Sequence, residues 1–319
     1  MSPRVGAVAA ALAAALLAAS AAAPSVPESS QSVEVKKRCR VVTRTVRGKT
    51  KRVRVCRRVR PRPRPRPTAP SPVRRIDIGG YRLAIECRGT GTPTLVLDSG
   101  FSSPRTAWSL VHRAAARTTR VCTYDRAGLG ASDPRPGETA TTAKIVDELH
   151  TLLARAGIAP PYVLGGWSIG GFNVLYYARR YPSEPVGLVL VDGTPASFAL
   201  TRIPEPLVGS ETMLLDEAAT HLIANGDLGA RPLVVLVRGR GSPDPNVEAD
   251  WLRAQRETAG RSSNSLLVRA DRAGHAIQDE QADLVVEAFR QVVGAARAGA
   301  DLPACTATPL PAVGGSCLD

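Results

Sequence analysis

A Gly-x-Ser-x-Gly run, Gly166-Trp167-Ser168-Ile169-Gly170, lies between a short apolar stretch at 162–164 and a helix-forming stretch at 169–180. A turn that tight needs flanking positions without side chains. It forces the serine out at the helix N-terminus, where its hydroxyl can attack an acyl carbon. The chain contains 28 glycines, so the bare pattern could arise by chance, and the strand–turn–helix setting is what gives it weight. Serine is a weak nucleophile without a base. Of the four histidines, His112 and His150 fall inside predicted helices and His221 inside an insertion. His275, in Asp271-Arg272-Ala273-Gly274-His275-Ala276-Ile277-Gln278, follows a predicted strand and precedes the last helix. That is the chain-order position of the base in a Ser…acid…His arrangement, so Ser168 and His275 are the candidate nucleophile and base.

The elements that must position them alternate from residue 74 onward. Apolar runs at 81–87, 94–97, 121–124, 162–164, 187–191, 233–237 and 265–269 read as strands. Stretches at 107–116, 142–156, 169–180 and 282–298 read as helices. This alternation predicts an α/β fold, a mostly parallel twisted sheet with crossover helices on both faces. Chemistry in such folds sits on loops at the carboxyl ends of strands.

Charge divides the chain. Its 319 residues carry 42 Lys and Arg against 28 Asp and Glu, a formal net charge of +14. Residues 24–75 hold 18 of the cations and only two acids, Glu28 and Glu34, a net of +16, whereas residues 76–319 carry −3. The expected organisation is a leader at 1–22, a basic arm at 23–74, a catalytic body at 75–297 and a C-terminal tail at 298–319. The leader has Arg4, an Ala-rich apolar run and a small-residue ending near Ala21 to Ala23, the pattern of a secretory signal peptide. A retained membrane anchor is the rival reading. Export to an oxidising, extracellular or cell-surface location is the expectation.

Within the arm, Val and Thr alternate with Arg and Lys, as in Arg52-Val53-Arg54-Val55, which predicts a ribbon with its cations on one face. Cys39 and Cys56 flank Arg47-Gly48 symmetrically, where a turn would set them opposite each other. Pro61-Arg62-Pro63-Arg64-Pro65-Arg66-Pro67 reads as an extended polyproline spacer. The arm is either a tether to an anionic surface, cell-wall polymer or lipid headgroups, or a solvated linker. Aromatics make up 4% of the chain, which argues against a nucleic-acid stacking platform, and no nucleic-acid partner is expected. Cys305 and Cys317 are expected to close a loop in the tail. Cys87 and Cys122 lie in two predicted strands, where free buried thiols are an alternative to a cystine. No cysteine pair has zinc-site spacing, and no metal or cofactor is expected.

The body resembles the α/β-hydrolase superfamily over residues 75–297. The resemblance rests on LVLDSGF (95–101), CTYDRAGLGASDP (122–134), GGWSIGG (165–171) and AGHAIQ (273–278). It implies that the strands at 81–87 and 121–124 are neighbours, which makes a Cys87–Cys122 cystine plausible. It implies an oxyanion hole from the N–H groups of Ile169 and Phe101, with Asp98-Ser99-Gly100 standing where many relatives carry His-Gly. It assigns Asp125, Arg126 and Ser132 to holding the loop after the strand at 121–124. For the acid, the resemblance allows Asp192, which ends GLVLVD, or Asp244 in the loop before the histidine strand; Asp192 is preferred for its register.

A serine nucleophile excludes the dehalogenase and epoxide-hydrolase chemistries of this superfamily, which use a carboxylate there. The expectation is a cofactor-independent secreted serine esterase with a short cap at 193–230 and a small-molecule or lipid-like acyl substrate. A peptidase or acyltransferase with the same triad, and a non-enzymatic surface-binding protein acting through the arm, are the rival functions.

Overall fold

The computed structural model describes residues 37–46, 49–58, 72–137 and 139–318. The predicted leader, the Arg47-Gly48 turn and the Pro-Arg spacer lie outside these residues. The chain divides into two units, Met1–Arg66 and Pro67–Asp319.

In the first unit, β1 (Lys37–Val46) and β2 (Lys49–Arg58) form an antiparallel ribbon whose register sets Cys39 opposite Cys56. Lys37, Arg52, Arg54 and Arg58 occupy register positions on the face of that pair. Arg38, Arg40, Arg44, Lys49, Lys51 and Arg57 occupy the other. This corrects the expectation of one cationic face. The adjacent cations Lys51-Arg52 and Arg57-Arg58 break the two-residue period, so charge appears on both sides.

The second unit is built on a sheet whose strands are β3 (Arg74–Asp77), β4 (Arg82–Arg88), β5 (Thr94–Asp98), β6 (Val121–Tyr124), β8 (Tyr162–Trp167), β9 (Pro185–Val191), β12 (Leu233–Arg238), β13 (Ser265–Ala270) and β14 (Gly315–Cys317). Their order across the sheet is β14-β13-β12-β9-β8-β5-β6-β4-β3, and β6, β5, β8, β9, β12 and β13 run parallel. β3, β4 and β14 pair antiparallel with their neighbours, and β3 and β14 are the edges. The helices are α1 (Ser109–Ala115), α2 (Thr142–Arg155), α3 (Ile169–Arg180), α4 (Ala196–Arg202), α5 (Asp216–Asn225), α6 (Pro245–Ala259), α7 (Ile277–Glu280) and α8 (Ala282–Ala298). A small three-stranded sheet joins β7 (Ala140–Thr141) to the cap strands β10 (Leu207–Val208) and β11 (Thr212–Leu214).

Alternation along the central strands divides the core in two. Val96, Leu164, Leu188, Leu190 and Val235 face a layer with α2, α3, α4 and α5. Leu95, Leu97, Val163, Val189, Val234 and Leu236 face a layer with α1, α7 and α8. Burial on both faces is why these strands read as unbroken apolar runs. The cystine Cys87–Cys122 joins β4 to β6 at directly paired positions, and Cys305–Cys317 ties a short turn to β14. The segment at 298–319 therefore extends the sheet as well as closing a loop. Among the described residues no helix is long and apolar enough to cross a membrane.

Candidate active site

β8 turns directly into α3 at Ser168, whose backbone sits at φ 55° and ψ −123°, a conformation L-residues rarely adopt. The flanking glycines are required by contact. A Cβ at Gly166 would collide with the Gly170 carbonyl, and a Cβ at Gly170 with the carbonyl of Asp98. The turn is held by Ser168 O, which accepts from Gly171 N at 2.9 Å and from Thr194 N at 2.8 Å. The second bond ties the serine to the segment after β9.

That segment begins with Asp192, fully buried and also at positive φ, 43°. Its carboxylate accepts from His275 Nδ1 at 2.6 Å, Trp251 Nε1 at 2.9 Å, and Arg238 N and Nη1 at 3.2 Å each. Burial alone would push the Asp192 carboxyl up. The His275 bond and charge, the Arg238 guanidinium and the Trp251 indole outweigh it and hold the carboxyl below its ordinary value of 3.8. An imidazole whose Nδ1 donates to an acceptor-only carboxylate has, in its neutral form, its lone pair on Nε2. His275 is oriented a second time by Trp167, beside Ser168: the indole N–H donates to the His275 carbonyl at 2.8 Å. The Arg238 guanidinium lies 4.5 Å from the Trp251 ring centroid, and Phe198 meets that ring edge-on at 4.8 Å. Ser168 Oγ makes no hydrogen bond among the described residues.

Asp244 is elsewhere. It is exposed and caps α6, accepting from Asn246 N at 2.9 Å, with Pro245 in the first turn. The other histidines are committed as well. His112 is buried against the Val121 carbonyl at 3.1 Å, and burial pushes its pKa down. His150 contacts Glu184 at 3.0 Å and stacks on Tyr181, and His221 meets Tyr176 edge-on.

Ile169 N lies at the N-terminus of α3, where the first N–H groups have no intrahelical acceptor. The loop after β5 approaches it closely, since only Gly170 fits against the Asp98 carbonyl and only Gly100 fits against Trp167. Phe101 is in this loop, so its N–H and that of Ile169 come from two backbones in contact. Asp125 and Ser132 hold the loop after β6. Asp125 accepts from Arg105 and from Ala131 N at 3.0 Å, while Ser132 Oγ donates to Asp125 O at 2.6 Å. Arg126 leaves that loop and supports the one after β5, donating to Ser99 O and Gly100 O at 2.7 Å each.

Residues 93–218 match the family model described as the alpha/beta hydrolase fold. The chain has the α/β-hydrolase fold. It is 28% identical over 211 residues to YqjL, an uncharacterised protein of Bacillus subtilis, across 62% of this chain and 82% of that one. It is 31% identical over 118 residues to a pimeloyl-[acyl-carrier protein] methyl ester esterase of a Shewanella species, across 37% and 41%. The chain spans only 20% and 40% of two further relatives, a probable transporter efuK of Hormonema carpetanum and YbdG of Bacillus subtilis. Among solved structures, a thermophilic esterase from Thermogutta terrifontis superimposes with a TM-score of 0.53 at 24% identity, covering 71% of this chain and 99% of that one. Est1E from Butyrivibrio proteoclasticus, solved with ferulic acid, gives 0.58 at 18%, covering 70% and 99%.

Three residues of this candidate site carry no local sequence signal: Trp167 beyond its place in the elbow, Arg238 and Trp251. Each acts across a long chain separation, as with Trp251 and Asp192, 59 residues apart.

Proposed function

We propose that this protein is a serine hydrolase that cleaves an ester-type acyl bond through a covalent acyl-enzyme. Ser168 is the nucleophile, His275 the general base and acid, and Asp192 the triad carboxylate. The observation that carries the reading is the 2.6 Å His275 Nδ1–Asp192 Oδ2 bond beside the strained Ser168 turn. Ser168 Oγ attacks the carbonyl carbon while its proton passes to His275 Nε2. The oxyanion accepts from the N–H groups of Ile169 and Phe101, and collapse expels the alcohol, which takes the proton back from the imidazolium. Water, deprotonated by the same Nε2, then attacks the acyl-enzyme and releases the acid. Contacts between nucleophile and base of this kind tighten when substrate binds.

Ester rather than amide cleavage is supported by the relatives and neighbours named as esterases. The leader pattern and the two cystines support work in an oxidising compartment outside the cytoplasm. The ten cations of the ribbon, unbalanced by any acid, support a tether to an anionic surface. The test is labelling with a fluorophosphonate probe and hydrolysis of short p-nitrophenyl esters. Wild-type protein takes the probe, and Ser168→Ala neither takes it nor hydrolyses, falling by roughly 10⁵-fold or more in kcat. Full ester hydrolysis by Ser168→Ala would overturn the reading.

A further inference from the structure

The loop after β5 is held from two sides by one buried charge network, and half of that network comes from the cap. Arg126 is 2% exposed, and all five of its N–H donors are used. Nη1 donates to Asp98 Oδ1 at 2.5 Å and to Ser99 O at 2.7 Å. Nη2 donates to Gly100 O at 2.7 Å and to Glu211 Oε1 at 2.6 Å, and Nε donates to Glu211 Oε2 at 2.9 Å. Glu211 lies between β10 and β11, and its Oε1 also accepts from Ser102 N at 2.9 Å. Ser102 sits at φ 53°, and its hydroxyl accepts from Ser210 N at 2.9 Å. Gly209, beside them, packs so tightly that a Cβ would lie 2.7 Å from the Phe101 ring.

The bonds bracket one residue. The carbonyl before Phe101, on Gly100, is held by Arg126, and the N–H after it, on Ser102, is held by Glu211. The peptide that carries the Phe101 N–H is thus held at its Gly100 carbonyl and the following peptide at its Ser102 N–H, both by a single guanidinium–carboxylate pair. A buried ion pair of this kind is weak evidence for stability, because desolvation offsets most of the attraction. Its geometric effect is larger: a planar fork with every donor engaged fixes the backbone it touches.

Building on the acyl-enzyme reading of Ser168, we infer that Arg126 and Glu211 are positioning residues that aim the Phe101 N–H at the oxyanion. Through Glu211, the seating of the cap and the completion of the oxyanion hole become one event. Neither side chain touches the reacting atoms. Their contribution appears where negative charge develops on oxygen, in kcat more than in KM.

The experiment compares Glu211→Gln and Arg126→Lys with wild type, all as full chains, on a p-nitrophenyl oxoester and on the matching thionoester. The C=S group gains less from oxyanion-hole donors, so the oxoester-to-thionoester rate ratio reports the hole. Fluorophosphonate titration counts folded sites in each preparation. Arg126→Lys lowers kcat per titrated site on the oxoester about 10- to 100-fold, with KM changed less than about threefold and the ratio reduced. Glu211→Gln keeps an acceptor for Ser102 N and gives a smaller loss in the same direction. An unchanged ratio in both variants, whatever the yield of folded protein, overturns the inference. Wild-type protein that takes no probe and cleaves no ester would instead fail the acyl-enzyme reading, so the two failures are distinguishable.

Discussion

Asp192 and Asp244 are the same side chain in opposite surroundings. Asp192 is sealed among an imidazole, an indole and a guanidinium, whereas Asp244 faces solvent at the start of a helix. Asp192→Asn is expected to lose on the order of 10³- to 10⁴-fold in kcat on p-nitrophenyl esters, because the amide favours the wrong imidazole tautomer. Asp244→Asn keeps full activity and changes stability by less than ~0.5 kcal/mol in urea unfolding, since Asn caps as well as Asp. Equal activity of both variants with wild type would remove the carboxylate from the mechanism. The sign of the pH effect follows from the same contacts. A carboxyl held below its ordinary value stabilises the fold above that value and loses the contribution only as pH falls through the lower, folded one. The Asp192 share of acid unfolding therefore lies below about pH 4 and disappears in the Asn variant. In the sequence, the resemblance offers Asp192 or Asp244 as the acid, and the end of the apolar run GLVLVD gives Asp192 the better register. Asp244 also had a readable signal, an Asp-Pro-Asn start to a helix, which marks a cap.

The elements most legible in the sequence are those with buried periodicity. Residues 169–180 and 282–298 form helices with the predicted bounds, and 121–124 forms a strand with them. The stretch at 107–116 divides into a 3-10 turn at Arg105–Trp108 and α1, because Pro104 starts the turn early. α4, α5 and α6, together with the edge strands β3 and β14, escaped prediction. The edges pair on one side only and so lack a long apolar run. The cap helices α4 and α5 are short, and α4 takes its order from packing on both α5 and α6. Glycine at the elbow is the element-scale device with the sharpest test. Gly170→Ala places a methyl against the Asp98 carbonyl, with no flexible side chain to give way. It is expected to destabilise the fold by about 1–3 kcal/mol in urea unfolding and to slow fluorophosphonate labelling of Ser168. Wild-type stability and labelling would mean that the turn relaxes more than its contacts suggest.

At the scale of the molecule, the +14 net charge describes neither unit. A second unit near neutrality carries the candidate site, and the excess of cations over acids belongs to the first. The full chain is expected to bind a phosphate-bearing cation exchanger at low ionic strength and to elute as the Debye length shrinks below ~8 Å. Replacing Arg38, Arg40, Arg44 and Arg57 by Gln, or Arg52, Arg54 and Arg58, is expected to lower the eluting salt concentration in both cases. The two faces of the ribbon both carry charge. An effect from only one set would mean that a single face binds. β14 adds a consequence of another kind. It pairs with β13, while Gly314 O accepts from Asp271 N at 3.2 Å and from Gln281 Nε2 at 2.8 Å, so residues 310–317 flank both ends of the histidine loop. The Cys305–Cys317 cystine closes that segment on itself, so a covalent bond outside the loop fixes the wall against which the His275 loop rests.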